Sequence, residues 1–209
     1  MRSQRTVIFS VNALLERAEN VVFDIGNVLL SFEPEKTLPR IIGEEAARRI
    51  TARDIVGSPM WPRLDEGTVT EEETARYAAR LAGDEALWPL ALRFIQHFHE
   101  EMEPLPAWEL IPKFHATGKK VFALSNYGEH TFARTQARFA DLFGQVDGMV
   151  ISGREKVLKP ELRIYRLLLD RYHLRPETCV FIDDYAPNVE GARRAGMQAI
   201  LYTGFDSLL

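Results

Sequence analysis

The sequence predicts an α/β fold: a parallel sheet covered by helices on both faces, with an all-helical insertion after the first strand. Three observations carry that prediction. Short apolar runs end in polar residues at Val21-Val22-Phe23-Asp24, at Lys120-Val121-Phe122-Ala123-Leu124 before Ser125-Asn126, and at Cys179-Val180-Phe181-Ile182 before Asp183-Asp184. Helical periodicity separates these runs. Residues 35–103 are charge-dense, rich in helix formers and without a strand-like run.

The first run is β-branched and aromatic, and Gly26 and Asn27 follow it as turn formers, so it reads as a buried strand with a polar mouth. Gly57-Ser58-Pro59 and Asp65-Glu66-Gly67 break the insertion, and Thr70 is the expected N-cap of a helix whose first turn is acidic. A helix over 107–116 precedes the second strand, and a weaker strand follows at 148–152. Ile164, Leu167 and Leu168 share one face of a helix over 161–172, the third apolar strand comes next, and a helix over 189–195 leads to a last strand at 198–202. Strands that read as continuous apolar runs and alternate with helices belong in a parallel sheet buried on both faces. The core is therefore expected over 1–34 and 104–209, with the helical segment over 35–103. In such sheets function gathers at the carboxyl ends of the strands, where the polar tips converge.

Composition narrows the function classes. The chain has 209 residues, 46% of them hydrophobic, enough for a real core. Its formal charge of −4 is spread along the length, so nothing draws nucleic acid or anionic lipid. The N-terminal Val7-Ile8-Phe9 run is broken by Ser10 and Asn12 and does not read as a signal peptide. No apolar stretch reaches the roughly 18 residues that span a bilayer. The single Cys179 allows no intramolecular disulfide and reads as buried strand filler, which fits a cytoplasmic protein. Nothing in the sequence speaks to oligomeric state.

The chemistry-bearing residues fall in four clusters at strand ends or just beyond: Asp24 with Gly26, Ser125-Asn126, Lys159-Pro160, and Asp183-Asp184. Together they supply a carboxylate nucleophile, a cation holder, a hydroxyl and a fixed positive charge, which is what phosphoryl transfer requires. Taken singly, each has a structural reading: Asp24 as a turn residue, Ser125-Asn126 as an N-cap, Lys159-Pro160 as a helix start, Asp183-Asp184 as a strand-end turn. Their coincidence in order and spacing outweighs those readings.

Phe23-Asp24-Ile25-Gly26-Asn27-Val28, Leu124-Ser125-Asn126, Leu158-Lys159-Pro160 and Phe181-Ile182-Asp183-Asp184, continued by Asn188, Gly191-Ala192 and Ala195-Gly196, resemble the ordered signature motifs of the haloacid dehalogenase superfamily. Within it, the Asp-x-Gly-Asn-Val opening and the Leu-Ser-Asn triplet are similar to the branch containing α-D-glucose-1-phosphate phosphatase. The resemblance implies a Rossmann-like core with a helical cap, and Mg2+ as cofactor. It implies that Asp24 attacks phosphorus to form an aspartyl-phosphate, that Asp24, the Gly26 carbonyl and the Asp183/Asp184 pair hold the cation, and that Lys159 offsets the crowded negative charge. Asp184 matches the usual direct ligand, Asp183 binding directly or through water, and sequence does not separate them. Ser125, Asn126, Gly26, Asn27 and the catalytic Lys159 are expected to meet phosphate, and Asn188, as cap of the following helix, to orient an acidic side chain. Trp61, Arg63 and Glu66 are the cap residues expected to reach the substrate.

One departure matters. Most phosphatases of this superfamily carry a second Asp two positions after the nucleophile to protonate the leaving oxygen, and Gly26 stands there. General acid catalysis contributes about 10²- to 10⁴-fold, so the departure favours leaving groups that need little protonation. The expected substrate is a small phosphorylated metabolite of the sugar phosphate class. A 2-haloacid dehalogenase shares Asp24, the Ser-Asn pair and Lys159 but needs no acidic pair, and a non-catalytic binding protein on the same scaffold is the rival from another class. His97 and His99, two apart on a helix, do not share a face and are read as a packed or solvated helix end.

Overall fold

The computed structural model describes residues 11–208; the reading of Val7-Ile8-Phe9 falls outside the described residues. Five strands, β1 (Asn20–Phe23), β2 (Lys120–Ser125), β3 (Gly148–Ile151), β4 (Cys179–Asp183) and β5 (Gln198–Leu201), form one parallel sheet in the order β3-β2-β1-β4-β5. The chain builds outward from β1 to β3, then returns to the other side of β1 to lay down β4 and β5. The reversal of strand order lies at β1/β4, where open α/β sheets place their ligand crevice.

Period-two alternation distributes each strand between two cores. Val21, Phe23, Val121, Ala123, Val180 and Ile182 enter one. Val22, Phe122, Leu124, Val150 and Phe181 enter the other, against Ile164, Tyr165 and Leu168 of the helix Leu162–Arg171 and Val189 and Ala192 of the helix Ala186–Arg194. Both faces of the sheet are thus dry, and its polar groups meet the outside only at the strand ends. Cys179 is buried at the start of β4.

Between β1 and β2 the described chain forms no further strand, and its helices there include Pro34–Ile42, Met60–Glu66, Glu71–Leu81 and Trp88–His97. Thr70 does cap Glu71–Leu81: its side chain accepts the Glu73 amide at 3.1 Å, and the Glu73 carboxylate accepts the Thr70 amide at 2.7 Å. Ala75, Ala78 and Ala79 of that helix pack in one core with Ala91, Phe94 and Ile95 of Trp88–His97. The two passages between this segment and the sheet run side by side, Ser31 donating to the Glu103 carbonyl and Leu105 to that of Leu29. Among the described residues, no helix is long and apolar enough to cross a membrane.

Three local expectations need correction. The helix expected over 189–195 begins at Ala186, with Tyr185 in the N-cap position and Pro187 in its first turn, so Asn188 is inside the helix and is not its cap. Pro187 explains the earlier start, because its missing amide costs nothing there. Lys159-Pro160 does not open a helix: that peptide is cis, and the helix starts at Leu162. Asp65-Glu66-Gly67 is no break before Gly67, since Met60–Glu66 runs through both acidic residues and stops at Gly67, whose φ of +73° suits glycine.

Candidate active site

Asp24 follows β1 directly, and its amide still donates to the Ile182 carbonyl of β4 at 2.9 Å. Its carboxylate accepts the Ile25 amide at 2.7 Å and the Lys159 ammonium at 2.8 Å, and the Ser125 hydroxyl favours its charged form. Lys159 reaches the Asp183 carboxylate as well, at 2.7 Å. The lysine side chain is 1% exposed and the aspartates 11% and 0%, so water screens neither pair.

Burial dominates the titration behaviour. It pushes Asp24 up to about 7 against the opposing pull of Lys159, with Asp183 adding repulsion. Burial alone would depress the Lys159 ammonium, but Asp183 and Asp24 outweigh it and hold it above the ordinary lysine range. Asp184 is raised by burial and by its neighbour Asp183, against a hydrogen bond from Asn27.

Asp183 is heavily occupied. Besides Lys159 it accepts the Tyr185 amide at 2.8 Å and, at both oxygens, the Asn188 side-chain amide at 3.1 Å. Asn188 therefore orients an acidic side chain, from within a helix turn. Asp184 instead faces the cavity described below. Asp24, Asp183 and Asp184 can each bring an oxygen within 4.8 Å of the others, the one such group among the described residues. An all-carboxylate oxygen set suits a hard divalent cation such as Mg2+.

Asn126 is spent on structure: its amide donates to the Lys159 carbonyl at 2.9 Å and its oxygen accepts the Lys159 amide at 2.7 Å. This two-point clamp ties the end of β2 to the backbone of the buried lysine. Asn27 takes a left-handed conformation, φ 56°, and its oxygen accepts the Phe32 amide at 2.9 Å, closing the turn after Gly26.

A cavity of about 510 Å³ opens over this floor. Asp24, Gly26, Asn27, Ser125, Asn126, Lys159, Asp184 and Asn188 line its base. Phe32, Val56, Trp61, Phe98, Met102 and Tyr127 form an aromatic-rich wall, in which Phe32 stacks on Trp61 with ring centroids 6.0 Å apart. Of the three cap residues singled out in the sequence, Trp61 lines the cavity. Arg63 and Glu66 do not: Arg63 lies against the Met60 sulfur and Glu66 meets Thr68. Asp65 lines it instead. Trp61, Leu64 and Asp65 stand at i, i+3 and i+4 and share a helix face, a signal hidden by reading residues 65–67 as a turn. His97 pairs with Glu100 at 2.8 Å and does not line the cavity.

Comparison with known proteins agrees with this geometry. Residues 18–196 match the model of the haloacid dehalogenase-like hydrolase family, and the chain belongs to that family; it is a hydrolase. It is 24% identical over 193 residues to the fructose-1-phosphate phosphatase YqaB of Escherichia coli, covering 90% of this chain and 97% of that protein. It is 29% identical to phosphatase MT3486 of Mycobacterium tuberculosis, covering 87% and 85%. A 26% match to the drimenol cyclase drtB of Aspergillus calidoustus takes in 87% of this chain but only 33% of that longer protein. In structure it resembles the HAD family enzyme bt-2542 of Bacteroides thetaiotaomicron, solved with magnesium and inorganic phosphate (TM-score 0.67, 16% identity, 90% and 96% covered). It also resembles the L-2-haloacid dehalogenase of Xanthobacter autotrophicus (TM-score 0.61, 19% identity, 87% and 76% covered). At these identities the structural likenesses speak to the fold alone.

Proposed function

We propose that the chain is a magnesium-dependent phosphatase of small phosphorylated metabolites that works through an aspartyl-phosphate on Asp24, with residues 35–103 serving as its cap. The observation that carries this reading is the charge balance of the floor. Three carboxylates, Asp24, Asp183 and Asp184, gather around a single buried ammonium, Lys159, which leaves two negative charges without a partner. Such a floor suits a divalent cation and, beyond it, an anionic substrate. A 2-haloacid dehalogenase has no use for the acidic pair.

Asp24, Asp183, Asp184 and the Gly26 carbonyl would hold Mg2+, Asp184 directly because it faces the cavity. The ion's role there is to neutralise charge between a carboxylate and an anionic phosphate. Asp24 attacks phosphorus in line, and Ser125 and Lys159 hold the phosphoryl oxygens as the leaving oxygen departs. Water then cleaves the aspartyl-phosphate. Asn126 and Asn188 position Lys159 and Asp183.

A sugar phosphate is the substrate class we favour, in keeping with the sugar-phosphate activities named for relatives such as the phosphorylated carbohydrates phosphatase of Thermotoga maritima. The shared Asp-x-Gly-Asn-Val opening supports the α-D-glucose-1-phosphate phosphatase branch. The aromatic wall of Phe32, Trp61 and Phe98 favours a second reading, a phosphate ester of an apolar group. We read the protein as cytoplasmic. Phosphate release from sugar, alkyl and aryl phosphates, assayed with Mg2+, with chelator and with Asp24→Asn, tests all of this. Release should require Mg2+ and vanish in the variant; halide release from 2-haloacids that ignores chelator would overturn the reading.

A further inference from the structure

Gly26 leaves the first motif without its usual proton donor, and the cavity contains a carboxyl that the steps above do not use. Asp65 belongs to the helix Met60–Glu66, far in sequence from the floor, yet it lines the same cavity as Asp24, Lys159 and Ser125. Its backbone is anchored to the core. The Ser152 hydroxyl donates to the Asp65 carbonyl at 2.5 Å while accepting the Tyr127 amide at 2.8 Å, and Lys156 donates to the Gly67 carbonyl at 2.9 Å. Gly67 permits this close approach, since a Cβ there would lie 2.6 Å from the Gly153 carbonyl oxygen. The end of the helix is thereby held against the loop after β2.

We infer that Asp65 is the proton donor to the leaving oxygen, filling from the helical segment the role for which Gly26 has no side chain. This rests on the phosphatase reading. As the Asp24 oxygen bonds to phosphorus and the phosphorus–oxygen bond to the leaving group breaks, the electron pair stays on the leaving oxygen. The carboxyl proton of Asp65 moves to that oxygen, giving a neutral alcohol and the Asp65 carboxylate. In the second step the carboxylate takes a proton from the attacking water, the bond between phosphorus and Asp24 breaks, and both residues return to their starting forms.

A donor must carry its proton near neutral pH, and the surroundings of Asp65 provide for that. Burial holds its carboxyl well above the usual carboxylate range, and the charge on Asp24 acts in the same direction. The Gly128 amide and Lys159 pull the other way without reversing it, and the Tyr127 hydroxyl nearby is itself held in the neutral form by burial. This is the pattern of a general acid kept apart from a nucleophile: two carboxyls in one cavity, one bearing a fixed ammonium and the other a backbone amide.

The test compares wild type with Asp65→Asn on p-nitrophenyl phosphate and on a simple alkyl phosphate, both with Mg2+. The nitrophenolate leaves without a proton, whereas the alkoxide needs one. Asp65→Asn should lower kcat/KM on the alkyl ester by about 10²- to 10⁴-fold and leave kcat/KM on p-nitrophenyl phosphate, which is set before water attacks the aspartyl-phosphate, within a few-fold of wild type. Retained aryl kcat/KM also shows that the variant folds. Equal losses of kcat/KM on both esters, or no loss on either, would overturn the inference while leaving the phosphatase reading intact. A wild type inactive on both esters and on the sugar phosphates would overturn the phosphatase reading, and this inference with it.

Discussion

The two ends of one parallel sheet carry charge clusters of similar composition and opposite character. At the amino end, just before β3, Asp147 accepts Lys120 at 2.8 Å, His115 at 3.0 Å and the Val121 amide at 2.8 Å. At the carboxyl end Asp24 and Asp183 share Lys159. Burial would raise Asp147, but its lysine, amide and histidine partners outweigh it and hold the carboxyl below the usual range. Asp24 goes the other way, up to about 7. The lysine makes the difference plain: Lys120 is 64% exposed at its side chain and Lys159 1%. Where solvent reaches, a carboxylate with three donors is a staple for the strands. Where it does not, and three carboxylates compete for one ammonium, the same groups form a destabilising constellation poised for chemistry.

Asp24→Asn breaks the carboxyl-end cluster most completely. Phosphatase turnover should fall on the order of 10⁴-fold or more. The melting temperature without Mg2+ should stay level or rise, because a buried carboxylate has been removed from a crowded site; a clear drop in Tm would mean that this end is a staple like the other. Lys159→Met is the reverse experiment. It strands Asp24 and Asp183 side by side without their cation, so urea unfolding should show a loss of about 3–5 kcal/mol along with lost activity. Equal stability of variant and wild type would refute the shared-lysine account.

Gly26→Asp sharpens the comparison by completing the carboxyl end. A Cβ at Gly26 meets nothing within 4 Å, so the side chain has room. Introduced into Asp65→Asn, it should restore alkyl phosphate turnover by about tenfold or more, read as kcat/KM. The smallest effect belongs to the amino end. Asp147→Asn should cost about 1 kcal/mol at neutral pH, given hydrogen bonds to a charged group that solvent partly reaches, and leave turnover within twofold. Because the folded-state carboxyl titrates below its unfolded value, the wild-type advantage is complete above about pH 4. It should disappear as pH falls through the lower, folded value. Chemical denaturation of both proteins at several pH values checks this, and a gap that widens on acidification would contradict the sign.

Much of the site is legible in sequence because the strands that hold it are continuous apolar runs whose first polar residue marks their carboxyl end. Asp24, Ser125 and Asp183 could be assigned to one edge for that reason. Asn188 was legible as an orienting residue but not as a helix residue, since Pro187 starts the turn earlier than periodicity shows. Asp65 was not legible, because Asp-Glu-Gly is a turn signal until the helix before it is known to extend to Glu66. Arg63 and Glu66, charged and near the right loop, were the more conspicuous residues, but the helix turns them away from the cavity.

By itself, then, the amino-acid sequence determined the parallel α/β class, the helical segment after the first strand, and the residues of the floor, because periodicity and turn chemistry are local properties. Only the tertiary structure decided which carboxylate is saturated by donors and which faces the cavity, that Asn126 serves Lys159, and that Asp65 lines the same cavity as Asp24. Those outcomes depend on helix phase and on contacts such as Ser152 to Asp65 between residues 87 positions apart, where a rotation of one residue, about 100°, exchanges one side chain for another.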